Sequence, residues 1–169
     1  MKKSFFASLP ILAAVVFGAA CAVTVSAAEP KTAETADSRL EGAKAYYVEN
    51  MVAGVNAGRK IAGGEALSAE QIEAIRKTST QWLEEELIPF MKRNGILDEW
   101  VTMQFDKDIR EINRKAAEAR SMDDFIKMAK EGAALIKLRY PNSFAQYNSP
   151  ECVMVMQNLQ GRIMRAMMK

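Results

Sequence analysis

The chain has no histidine, two cysteines, no dominant charge sign and, beyond about residue 30, no long apolar run. The missing histidine removes Ser-His-Asp and Cys-His nucleophilic machinery, histidine zinc sites and histidine-ligated haem. If Cys21 leaves with the N-terminal segment, Cys152 stands alone, and an oxidising compartment cannot give it an internal disulfide partner. The whole chain carries 23 basic and 21 acidic side chains. Loss of Lys2 and Lys3 with that segment would leave the two signs balanced. Nucleic-acid binding by counterion release needs a concentrated basic surface, so no nucleic acid is expected as a partner. Acidic residues prevail over 28–100 and basic ones over 101–169, a division that favours packing of the two halves on each other.

What the N-terminus does have is a tripartite pattern. Met1, Lys2 and Lys3 precede an apolar run from Phe5 to about Val23, and small residues at Val25, Ser26, Ala27 and Ala28 precede Glu29-Pro30. This reads as a secretory signal peptide over 1–27, cleaved after Ala27 or Ala28, which places the mature protein in the periplasm or outside the cell. Pro10, Gly18 and the fade into small residues argue against a membrane anchor, so no transmembrane segment is expected in the mature form. Phe17-Gly18-Ala19-Ala20-Cys21 resembles a loose lipoprotein box, and a lipid anchor on Cys21 is the alternative. Gly18 stands where such boxes carry a bulky apolar residue, and the downstream small-residue pattern is the better processing site.

Residues 28–37 contain nothing large and apolar and read as a disordered leader. Residues 38–169 then form a single domain, large enough to bury a core without staples. Start and stop signals divide it into five helices. Ser38-Arg39-Leu40-Glu41 is a capping box, and the first helix stops at Gly63-Gly64. Ser68 repeats the device with Gln71, flanked by Leu67 and Ile72 as a hydrophobic staple; this second helix ends at Asn94-Gly95 and carries a kink or restart at Pro89. A third spans Asp98 to about Ala119, a fourth is capped by Ser121 and ends before Tyr140-Pro141, and Ser149-Pro150-Glu151 opens the fifth. Nothing alternates with a period of two. The expected fold is all-α: an antiparallel bundle of about five helices, with one longer loop from Tyr140 to Ser149.

Each helix carries an inward stripe: Val101, Phe105, Ile109, Ile112 and Ala116 on the third; Phe125, Ile126, Ala129, Ala133 and Ile136 on the fourth; Cys152, Met156, Leu159, Ile163 and Met167 on the fifth. Gly54, Gly58 and Ala62, with Ala53 and Ala57, let another helix approach the first closely, and core packing is the simplest use of them. Trp100 and Met103 fall off the third stripe and form either an exposed patch or a cap on the bundle.

The fifth helix is apolar on two sides. Val153, Met154, Met164 and Met168, with Gly161 among them, form a second flank, and Asn158, Arg162 and Arg165 make a polar face. Such a helix is either central in its bundle or exposes an adhesive surface, for which the flexible thioether is well suited. The Tyr140–Ser149 segment, with Tyr140, Phe144 and Tyr147, is a second contact candidate; the alternative has its rings folded back onto the bundle. Met164 and Met168, near Cys152 and Met156, admit a Cu(I) reading, although the sulfur atoms divide between two faces. Glu86 falls on the apolar side of the second helix. It either pairs with a cation or serves as the general acid of a cell-wall glycan hydrolase.

Leu67-Ser68-Ala69-Glu70-Gln71, followed by Ile75-Arg76, resembles the Leu-Thr-x-x-Gln motif of the periplasmic stress-chaperone family, whose members are small, exported and helical. Ser68 stands in place of the threonine, the motif occurs once, and the same letters make a capping box. The sequence therefore leads to an exported, non-catalytic helical protein without cofactor or metal. It would bind another protein, or a second copy of itself, through Val153, Met154, Met164, Met168, Tyr140, Phe144 and Tyr147, as a chaperone-like factor, an inhibitor or immunity-type protein, or an envelope-assembly subunit.

Overall fold

The computed structural model describes residues 35–168, and these are all-α. The signal peptide, the Cys21 box and most of the leader lie outside the described residues. Helix α1 is Ala36–Ile61; α2 runs Ala69–Trp82, continues through a π-helical turn at Leu83–Leu87 and resumes as Ile88–Arg93; α3 is Leu97–Gln104, α4 Lys107–Ala117, α5 Met122–Arg139, α6 Pro141–Tyr147 and α7 Pro150–Met167. None of these helices is long and apolar enough to cross a membrane.

Five expected helices have become seven among the described residues, and both additions have a local cause. The third expected helix breaks at Phe105-Asp106, because the Asp106 carboxylate accepts the backbone N–H groups of Asp108 and Ile109 and starts α4 afresh. The expected Tyr140–Ser149 loop contains α6, whose first residue is Pro141, where a preset φ and a missing N–H cost nothing. The start of α1 is also corrected. Thr35 is the cap, accepting from the Ser38 N–H at 3.2 Å, so Ala36 and Asp37 belong to the helix rather than to a leader. Ser38 instead donates its hydroxyl to the Thr35 carbonyl, and Glu41 pairs with Lys44.

The remaining serine caps stand where the sequence puts them, whereas α3 starts at Leu97 rather than Asp98, without a side-chain cap. Ser68 and Gln71 form the reciprocal capping box, Ser121 accepts from Asp124, and Ser149 accepts from Cys152. Gln71 also takes a hydrogen bond from Arg59, and the Leu67 N–H donates to the Asn56 side chain, so this box fastens the α1–α2 connection. In α2 the Ile88 N–H bonds the Leu83 carbonyl five residues back. That widened turn accommodates the Pro89 ring, which would otherwise crowd the preceding turn. The helix ends at Gly95, whose φ of +67° requires glycine, with Ile96 bonded back to Met91.

The core is centred on three aromatic rings. Tyr47 stacks on Trp82 at 6.5 Å and meets Trp100 edge-on at 5.5 Å. Trp100 and Met103, candidates for an exposed patch, are interior, while the solvent face of α3 is carried by Asp98 and Thr102. Trp82 donates its indole N–H to the Val155 carbonyl at 2.9 Å, tying α2 to α7. Helix α2 packs between α1 and α7; α4 packs on α5, and α1 on α3 and α4. Ala53, Gly54 and Ala57 are buried in α1, as close packing requires, whereas a Cβ at Gly58 would face open space. Ala116 and Phe125 seed a smaller cluster with Ile61, Ala119 and Met128. Ile126, placed on the inward stripe of its helix, is 42% exposed.

Candidate functional site

Helix α7 has one face in the core and another in solvent. Cys152, Leu159 and Ile163 are buried, with Met156 and Met167 packed beside them. On the other side Met154, Met164 and Met168 are 66%, 49% and 75% exposed, and Val153 is half-buried. Burying a methionine side chain is worth about 2 kcal/mol, so three left in water are a substantial unused contact surface.

The aromatic half of the expected contact surface behaves differently. Tyr140 and Tyr147 are buried and Phe144 is partly buried against the core, with Lys137 over its ring at 5.9 Å. The cause is again α6, which turns these side chains inward. Its first turn is held by Glu99, whose carboxylate accepts from the Ser143 N–H at 2.6 Å and hydroxyl at 2.8 Å. Tyr140 donates its hydroxyl to Asp106 at 2.9 Å, and burial together with that carboxylate pushes its phenol up to about 12. Tyr147 is raised well above the ordinary tyrosine value, chiefly by burial. These rings are plugs, and the surface narrows to the methionine flank.

Glu86 has the cation it needs. Arg162 of α7 pairs with both Glu86 and Glu85, and Asn158 donates to Glu86 at 2.9 Å. The π-helical turn makes this arrangement: Glu84 turns to Lys44 of α1 while its two successors reach α7. Glu86 is thus part of the α2–α7 contact.

The soft-metal set is split by the helix. Cys152 faces the core, and burial pushes its thiol up to about 11, which disfavours the thiolate that a metal would bind. Met164 and Met168 point the other way. Among the described residues no group of three or more Cys, Asp or Glu side chains is placed to hold a metal ion. An open hollow of about 560 Å³ lies where α1 and α4 end, bounded by Lys60, Ile61, Ala117, Glu118, Ala119 and Arg120. It contains none of the expected site residues.

Sequence reasoning missed two exposed apolar side chains of α5, Met122 (40% exposed) beside Ile126 near its start and Leu138 (79%) near its end. The only signal for Leu138 was its position off the inward stripe. The Leu67–Gln71 letters are accounted for by the capping box itself. Compared with known proteins, the chain matches no family model, no curated protein and no solved structure.

Proposed function

We propose that this is an exported, non-catalytic protein that works in the periplasm or outside the cell by binding another protein through the Met154, Met164 and Met168 flank of α7. In this reading the signal peptide of 1–27 is removed, the domain is an antiparallel helical bundle, and its role is that of a chaperone-like factor, an inhibitor or an envelope-assembly subunit. The observation that carries the reading is the two-sided apolar character of α7. One face completes the core, and the other leaves three long, adaptable side chains in water. A helix that served only its own core would be polar on that side.

The test places a photo-crosslinking amino acid at position 164 in the full chain expressed in its own host. A discrete adduct to a protein is expected from position 164 and not from position 127, on the charged face of α5. If position 164 gives no adduct to any protein, itself included, the reading fails.

A further inference from the structure

We propose that the molecule meeting this face is a second copy of the chain, with α7 packed antiparallel on α7 across Gly161. The proposal rests on the binding function just described and specifies its partner. Three observations support it. First, Met154, Gln157, Gly161, Met164 and Met168 follow one another at intervals of three, four, three and four residues. That is the spacing of a helix–helix seam, and it lies opposite the Leu159 and Ile163 stripe already used inside the molecule.

Second, nothing inside the molecule needs a glycine at 161. A Cβ there would meet only the Arg165 guanidinium, at 3.6 Å, an ordinary contact. Glycine is a poor residue for a helix interior, and at the middle of an apolar seam it lets another backbone approach closely. Third, the two ends of the seam are symmetric about that glycine, with Met154 seven residues before it and Met168 seven after. A two-fold axis at Gly161 sets each Met154 against the Met168 of the other copy, a self-complementary contact of the kind C2 dimers use.

Charge selects the direction. In the antiparallel arrangement Arg165, four residues after the axis, comes opposite Gln157, four before it, whose amide oxygen can accept from the guanidinium. A parallel arrangement would set the two Arg165 side chains against each other and align the helix dipoles unfavourably. Size sets the strength. The seam is about 21 Å long, which is less than a standard interface of about 800 Å² per partner requires. A dimer held by this seam alone is therefore reversible.

Sedimentation of the exported protein, purified from cells expressing the full chain, should show a monomer–dimer equilibrium. Met164→Asp and Gly161→Leu should each weaken it roughly tenfold or more with unchanged far-ultraviolet circular dichroism. Cysteine pairing tests the geometry directly, since Cys152 is buried and does not compete. Under mild oxidation Gly161→Cys should cross-link to itself, and Met154→Cys mixed with Met168→Cys should cross-link to each other. Met154→Cys alone should not, because its two copies sit about 21 Å apart along the seam. A wild-type monomer at all concentrations with no Gly161→Cys cross-link overturns the dimer, and self-linking of Met154→Cys overturns the antiparallel arrangement. If the wild type is monomeric while position 164 still captures a different protein, only self-association falls and the binding function stands.

Discussion

Asp106 shows how much a single side chain organises. Its carboxylate caps α4 through the N–H groups of Asp108 and Ile109, accepts from Arg139 of α5, and receives the Tyr140 hydroxyl. Its side chain is only 8% exposed, and burial alone would raise its pKa. The hydrogen bonds from Arg139, Tyr140, Ile109 and Asp108 together outweigh that and hold it below the ordinary aspartate value. A depressed carboxylate contributes stability that is complete above its unfolded pKa of about 3.9 and is lost as pH falls through the lower folded value. Asp106→Ala should therefore cost about 2 to 3 kcal/mol at neutral pH, discounted because Arg139 is partly solvated. The gap to wild type should narrow on acidification below about pH 4. Asp106→Asn keeps a capping oxygen and should lose less. Urea unfolding at both pH values measures each difference, and an acid-independent gap would show that the charge contributes nothing.

At the scale of helices, what was legible in the sequence was local. The Ser68, Ser121 and Ser149 caps each depend on atoms three residues apart, so their letters suffice. The α3–α4 break was hidden because Val101, Phe105 and Ile109 keep helical spacing straight through it. Only the cap made by Asp106 interrupts them, and aspartate followed by lysine reads equally well as helix interior. Thr35 and Ser38 are both competent caps; the favourable placement of Asp37 in the first turn fits the earlier start. The inward turn of Tyr140, Phe144 and Tyr147 stood in the sequence only as one of two alternatives, because it depends on Glu99, distant in sequence and supplying the acceptor for α6. Gly58 yields a prediction on the same scale. It lies in the last turn of α1 with open space beyond its Cα, so Gly58→Ala should raise stability by about 0.5 to 1 kcal/mol. A thermal melt reads this directly, and a loss instead of a gain would mean that another chain approaches α1 there.

Over the whole molecule, α7 is the element on which folding and binding converge, since its inner stripe closes the core that α1, α2 and α3 begin. The outward methionines were legible because a surplus of apolar positions on one helix is a count that the rest of the fold cannot hide. Their exposure depended on how many faces α2 and α6 would cover, and that is settled only by tertiary packing. Cys152 reports on this docking. It is 1% exposed, and burial pushes its thiol up to about 11. A thiol reagent can reach it only after α7 leaves α2, which breaks the Trp82–Val155 hydrogen bond and the Arg162 ion pairs in the same event. Native labelling at about pH 8 should thus be slower than labelling of the unfolded chain by roughly a thousandfold or more. Met164→Asp, on the outer face, should leave that ratio nearly unchanged, whereas Trp82→Phe should reduce it. Rapid labelling of the native wild type would show that α7 detaches on its own, and the exposed methionines would then belong to a helix only loosely held by its fold.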